Sequence, residues 1–252
     1  MSSEWKNISE ESWKKLENIV EQEMLTPEEI RDNLEVTEKG RQSIQNCKYV
    51  LEHDPCLRGA VCRNEMTCQI DIKKKVPWKR RGVQMTDTDM NNLSLYLEKN
   101  YGLTSDRVIA KAIDIVANDN SFHPIIDLLE SLKWDGRSRI AGMLTHFFGA
   151  ENPEYSGEVM KMHMLAAISR LYEPGKKYDI MICLVGGQGT GKSTFFKYLA
   201  IQDEWFTDDV KRLDDKKVYE YLQGHWIVEM SEMNAVANAK SIEETKSFLT
   251  GQ

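Results

Sequence analysis

The sequence predicts an α/β fold in which a helical segment and a small α+β module lead into a strand–loop–helix core. Three observations carry that expectation. Tyr178 to Val185 is a largely apolar run of strand length, set directly before a Gly-rich loop and a helical stretch, Ser193 to Ala200. His225-Trp226-Ile227-Val228-Glu229-Met230-Ser231-Glu232 is a second apolar run, and it ends in acids. Upstream of both, apolar residues recur at helical spacing around one pair of short alternating runs.

Residues 1–34 alternate charged and apolar positions at helical spacing, with Trp5, Trp13, Leu16 and Val20 as the points to bury. Thr26-Pro27-Glu28-Glu29 starts a helix with Pro in its first turn. Ser43 to Leu51 is another short helix that stops before Asp54-Pro55, and Val61 to Ile72 folds as two strands turning near Asn64-Glu65. Thr86-Asp87-Thr88-Asp89 caps a helix through Leu97 that Gly102 stops, and Ser105 opens the next, through Val116. Residues 1–117 thus read as a helical preface and a small α+β module of winged-helix-like type. A second domain, 118–252, follows. Phe122-His123-Pro124-Ile125-Ile126 leads a helix, Trp134-Asp135-Gly136 marks a turn, and Ile140 to Phe148 is helical. Val159 to Tyr172 is a longer apolar helix ended by Glu173-Pro174-Gly175.

At 252 residues the chain has ample material for a core, and its composition is that of an ordinary globular protein. The polar amino terminus and the lack of an apolar run of about 18 residues argue against a signal peptide and a membrane span, so a cytoplasmic location is expected. Five cysteines, an odd number without C-x-x-C spacing, support neither a disulfide framework nor a zinc ribbon. Cys56, Cys62 and Cys68 are evenly spaced near His53. They read either as metal ligands or, more simply, as buried thiols.

The sharpest chemical signal is Gly186-Gly187-Gln188-Gly189-Thr190-Gly191-Lys192-Ser193, which meets the phosphate-loop spacing of Gly, four residues, Gly, Lys and Ser/Thr at every position. The glycines let successive backbone N–H groups curl around phosphate oxygens, and the following helix adds its positive end. Lys192 then reaches the β- and γ-phosphates, Ser193 ligates Mg²⁺, and Thr194 lies beside it, so ATP and Mg²⁺ are the expected cofactors and the core is expected to be a P-loop NTPase core. The second apolar run supplies Glu229 and Glu232, one to hold the metal-water shell and one to activate the attacking water. Which does which stays open, because strand alternation separates positions three apart. Lys192, Glu229 and Glu232 are the candidate catalytic residues, with Ser193, Glu229 and Glu232 at the metal. Asp208, Asp209, Lys211 and Arg212 either line the site or solvate a connection. Lys246 sits in a helix that Ser241 can cap with Glu244, and it faces DNA, the nucleotide or solvent.

The net charge of −7 is unevenly spread. Residues 1–54 carry seven Lys/Arg against thirteen Asp/Glu, whereas residues 55–111 carry eleven against six, so the basic charge gathers in the middle of the chain. There, Lys73-Lys74-Lys75 and Lys79-Arg80-Arg81 flank Pro77-Trp78. Such a cluster can contact phosphates and stack on a base, or it can be a solvated linker with one anchoring Trp.

These features together resemble the virulence-associated E family of phage and mobile elements, grouped with superfamily 3 helicases and primase-helicase ATPases. The resemblance rests on Phe122-His123-Pro124, Leu132-Lys133-Trp134-Asp135-Gly136 with Arg139-Ile140, and Ser169-Arg170-Leu171-Tyr172-Glu173-Pro174-Gly175. It continues through Gly187 to Phe195, Trp205-Phe206, Gly224 to Glu229 and Lys246. It implies a ring-forming, DNA-dependent ATPase serving replication, with single-stranded DNA as partner and without membrane attachment. It also implies a sensor strand and an arginine past the position of Gln252, so the core is expected to be incomplete at its carboxyl end. Asp87-Thr88-Asp89 lacks a following catalytic His pattern and fits helix capping, so no primase activity is assigned. The leading expectation is the ATP-hydrolysing portion of a replicative helicase. The alternative is a nucleotide-dependent DNA-binding or regulatory module with little hydrolysis, and a small-molecule kinase ranks below both for want of an arginine-rich lid.

Overall fold

A computed structural model describes residues 25–36, 38, 40–178, 180–209 and 222–230. The expected preface helix over residues 1–24, together with Lys211, Arg212, Glu232, Ser241, Glu244 and Lys246, lies outside the described residues. The chain divides into two compact units, Met1–Phe122 and His123–Gln252. Both mix helices with two-stranded sheets.

In the first unit, helix α1 (Pro27–Asp32) begins with Pro at its first turn, and Thr26 and Glu29 close a reciprocal capping box. Helix α2 (Ile44–His53) starts at Ser43, whose hydroxyl accepts from the Asn46 N–H. Strands β1 (Val61–Asn64) and β2 (Gln69–Ile72) pair antiparallel in register Val61↔Ile72 to Asn64↔Gln69. Helix α3 (Asp87–Tyr101) has a Thr86–Asp89 capping box and stops at Gly102, whose φ of 69° suits a residue without Cβ. The Asp87-Thr88-Asp89 run is therefore used as a cap.

Helix α4 (Asp106–Asp119) buries Ile109, Ala112, Ile113, Val116 and Ala117, the i, i+3, i+4, i+7, i+8 stripe of an amphipathic helix. Each fully buried Ile or Val contributes roughly 1.5–3 kcal/mol. Ser105 precedes α4 but its side chain makes no cap bond. Instead the Gln42 carbonyl oxygen accepts from the Thr104 and Ser105 N–H groups at 3.0 and 3.1 Å, and its amide donates to the Gly102 carbonyl at 2.7 Å. One side chain thus closes α3 and opens α4. Phe122 belongs with this unit because its N–H donates to Arg63 and its carbonyl accepts from Glu65, which extends the hairpin by one parallel bridge.

The core joins Val50 and Leu51 of α2, Leu93 and Leu97 of α3, the α4 stripe, and Val61 and Ile72 of the hairpin. Cys47 and Cys62 are buried, and desolvation pushes the Cys47 thiol up to about 11. His53 Nδ1–H donates to the Tyr49 carbonyl at 2.8 Å, and the imidazole stacks on the Tyr49 ring. Among the described residues no group of three or more His, Cys, Asp or Glu side chains is arranged to hold a metal ion.

The second unit opens with α5 (Pro124–Ser131), capped by His123, whose Nδ1 accepts from the Ile126 N–H. A short 3₁₀ turn, Ile140–Gly142, runs into α6 (Met143–Phe148). Helix α7 (Pro153–Tyr172) starts six residues earlier than the apolar pattern indicates, because Asn152 caps it and Pro153 takes the first position. Helix α8 (Lys192–Leu199) follows the Gly-rich loop. Strands β3 (Phe206–Thr207) and β4 (Ile227–Val228) pair in parallel. No helix among the described residues is long and apolar enough to cross a membrane.

The expected buried strand over Tyr178–Val185 does not appear among the described residues of that run. Ile182 and Leu184 pack on the cluster around α8, whereas Ile180 is 50% and Val185 98% exposed. A parallel strand buried on two faces needs a neighbour to take its N–H and C=O groups, and no described strand pairs with this run.

Candidate functional site

The Gly-rich loop owes its shape to two glycines. Gly189 and Gly191 have φ of 78° and 83°, in the left-handed region, and nothing lies within 4 Å of where a Cβ would stand. Backbone conformation, not space, therefore demands glycine there. Gly191 is also the N-cap of α8 and carries no side-chain cap, so the first N–H groups of the helix have no capping acceptor. The helix is held from its other face. Phe195 and Leu199, four apart, sink into a cluster with Leu144 of α6 and Met160 of α7, with Phe148 edge-on to Phe195 at 5.1 Å between ring centres.

Within the loop, Lys192 folds back over its own turn. Its Nζ donates to the carbonyls of Gly186 at 3.1 Å and Gly187 at 2.7 Å and to the Thr190 hydroxyl at 3.2 Å. Thr190 Oγ1 donates in turn to the Gly187 carbonyl at 3.0 Å. Gln188, Gly189, Ser193 and Thr194 are exposed, and Lys192 is half-buried.

Strand β4 delivers the acid. The Trp226 N–H donates to the Trp205 carbonyl at 2.7 Å, and the Glu229 N–H donates to the Thr207 carbonyl at 2.8 Å, so the ladder begun at Phe206↔Ile227 runs on to Glu229 at the carboxyl end of β4. The Trp226 indole anchors the strand to α7 by donating to the Ala167 carbonyl at 3.2 Å. Ser193 Oγ, in the first turn of α8, donates to Glu229 Oε1 at 2.7 Å. The other carboxylate oxygen, Oε2, is buried without a partner. A buried carboxylate oxygen costs free energy until something positive or hydrogen-bonding meets it.

A hydroxyl beside an orphaned carboxylate oxygen is a hard-oxygen pair that suits Mg²⁺. Such an ion takes one or two protein ligands and draws the rest from phosphate and water, so a cluster of three acids is not required. Asp208 and Asp209 lie just past β3, exposed, with the Asp209 N–H on Thr207 Oγ1. The structure therefore brings together Gly186 to Ser193 and Glu229.

The basic cluster in the first unit divides into two kinds of side chain. The Trp78 indole donates to Asp89 Oδ1 at 2.9 Å. The Arg80 guanidinium meets the same oxygen at 3.3 Å and the carbonyls of Ile72, Val83 and Gln84 at 2.9–3.1 Å. Both are held by the fold. Lys74 donates to the Arg58 carbonyl at 2.6 Å, and Lys73 lies 3.1 Å over the Phe122 ring centre. Lys75, Lys79 and Arg81 are exposed. Sequence reasoning missed Asp89 as their organiser, although its place at the third position of a capped helix was visible.

Residues 129–252 match the model of the virulence-associated protein E-like domain. This segment, which holds α7, the Gly-rich loop and β4, is similar to that domain. No curated protein matches the chain.

Proposed function

We propose that the loop 186–193 and Glu229 bind ATP with Mg²⁺, and that the chain is the ATP-hydrolysing part of a DNA-dependent ATPase serving a phage or mobile element. The single observation that carries this reading is the Ser193–Glu229 contact at 2.7 Å, with the second carboxylate oxygen buried and unpartnered. The similarity of residues 129–252 to the virulence-associated protein E-like domain supports the phage and mobile-element setting.

Mg²⁺, held by Ser193 and Glu229, would supply neutralisation of phosphate charge. The chain's own part begins with Lys192, whose Nζ gives up the Gly186 and Gly187 carbonyls for phosphate oxygens. The uncapped N–H groups at the start of α8 supply further donors. Ser193 and Glu229 would offer the metal two oxygens, which leaves Glu232, outside the described residues, as the proposed base for the attacking water. Lys75, Lys79 and Arg81 are exposed cations suited to phosphates of single-stranded DNA, and a homo-oligomeric ring is the proposed assembly.

Turnover of ATP by the purified chain, with and without single-stranded DNA, tests the reading. Hydrolysis that rises with DNA and disappears in Lys192→Ala is expected, with ATP affinity down at least about tenfold from loss of a charge-assisted contact. Unchanged nucleotide affinity in that variant refutes the phosphate-loop assignment. Tight ATP and DNA binding without turnover moves the function to a nucleotide-dependent binding module.

A further inference from the structure

The segment between α5 and the 3₁₀ turn is the most exposed aromatic-bearing stretch of the described residues. Trp134 is 82% exposed, and every residue from Ser131 to Gly142 is exposed. The other described tryptophans are held by the fold: Trp205 is buried, and the Trp78 and Trp226 indoles donate to Asp89 and to the Ala167 carbonyl. The loop is nevertheless built, and built without the indole. Asp135 accepts from Arg139 through both oxygens, Oδ1 at 3.0 Å and Oδ2 at 2.5 Å, and also from the Arg137 N–H at 3.1 Å. Gly136 turns the chain at φ 81°. The Asp135–Arg139 pair cancels its own charge. Lys133 and Arg137 remain, exposed and without an ion pair among the described residues, one on each side of Trp134 along the chain.

We propose that the Lys133–Arg139 loop is a contact for single-stranded nucleic acid, in which Trp134 stacks on a base and Lys133 and Arg137 meet the neighbouring phosphates. An aromatic face between two unpaired cations is the pairing that unpaired bases on a charged backbone require. The loop 133–139 carries three cations, Lys133, Arg137 and Arg139, against the single anion Asp135, a positive balance that favours a polyanion as partner. The proposal deepens the DNA-dependent reading given above and rests on it for the class of partner. It is distinct from the Lys75, Lys79 and Arg81 cluster of the first unit.

Fluorescence anisotropy of labelled oligo(dT) with the full chain tests it, with ATP affinity measured on the same samples. Trp134→Ala is expected to weaken oligo(dT) binding about tenfold, and Trp134→Phe to weaken it less, since stacking survives on a smaller ring. Lys133→Gln with Arg137→Gln is expected to flatten the log–log salt slope by about 1.4, two phosphates' worth on a single strand. ATP affinity stays unchanged in all three. Oligo(dT) binding that is absent in the wild type, or untouched by Trp134→Ala while Lys75→Gln, Lys79→Gln and Arg81→Gln abolish it, overturns the proposal. Trp134→Ala that changes self-association and leaves DNA affinity intact also overturns it, by assigning the loop to protein. A wild-type chain that binds oligo(dT) through Trp134 but no ATP keeps the loop contact and removes the ATPase reading.

Discussion

Asp54 and Glu229 are carboxylates with opposite surroundings. Asp54 is fully buried and accepts from the Tyr96 hydroxyl at 2.9 Å, the Tyr101 hydroxyl at 2.5 Å and the Cys56 and Leu57 N–H groups at 2.8 and 3.1 Å. Burial and the adjacent Asp54 charge both push the two phenols' pKa upward, so they stay protonated donors. Asp54→Ala strands those donors and is expected to cost about 3 kcal/mol or more in urea unfolding. Glu229, by contrast, keeps one buried oxygen unpartnered, as a group that receives a ligand must. Gly157 in α7 is a different constraint. A Cβ there would sit 2.8 Å from the Ala141 carbonyl oxygen, so Gly157→Ala is expected to destabilise by about 1–3 kcal/mol, read from the shift in the denaturation midpoint.

At the scale of elements, the start of α3 is tied to the β2–α3 connection through Asp89. Burial raises the Asp89 pKa, but hydrogen bonds from Trp78, from the Thr86 N–H and hydroxyl and from Arg80 outweigh it and hold the carboxyl at about 2, below its ordinary 3.8. A folded-state pKa below the unfolded one adds stability that is complete above about pH 4 and lost as pH falls toward 2, worth roughly 2 kcal/mol. Asp89→Asn is expected to lower stability at neutral pH and to flatten the acid limb between pH 4 and 2; an acid limb identical to wild type contradicts the role given to Asp89. Capped helices were legible in the sequence because their signals are local: Thr26, Ser43 and Thr86 each stand next to the turn they close. The junction of α3 and α4 was not, since Gln42 reaches it from some sixty positions away. The run before the Gly-rich loop was misread for a related reason. Apolar composition reports that a segment is buried somewhere, not how many faces are covered or which strand takes its backbone bonds. In the candidate site, the Gly-rich loop is a contiguous motif, and Glu229 ends an apolar run; what the sequence could not give is the contact that sets Glu229 against Ser193. The roles of Trp78 and Arg80 were not, because only a buried carboxylate elsewhere in the chain decides that they face inward.

On the scale of the whole molecule, the two units have separate cores, one around Leu97 and Ile113 and the other around Phe195 and Met160. Substitutions in the loop of the second unit are therefore expected to leave the unfolding of the first unit unchanged, followed by hydrogen exchange at α4. The proposed nucleotide chemistry falls in the second unit, where the match to the virulence-associated protein E-like domain also lies. Its centre is the Ser193–Glu229 pair, and the most direct measurement is equilibrium binding of ATP to the full chain with and without Mg²⁺, for the wild type and Glu229→Gln. The expected result is tighter binding with Mg²⁺ in the wild type and loss of most of that gain in Glu229→Gln, whose amide can still accept from Ser193 but offers the metal an NH₂ in place of an anionic oxygen. An undiminished Mg²⁺ effect in Glu229→Gln would contradict the account.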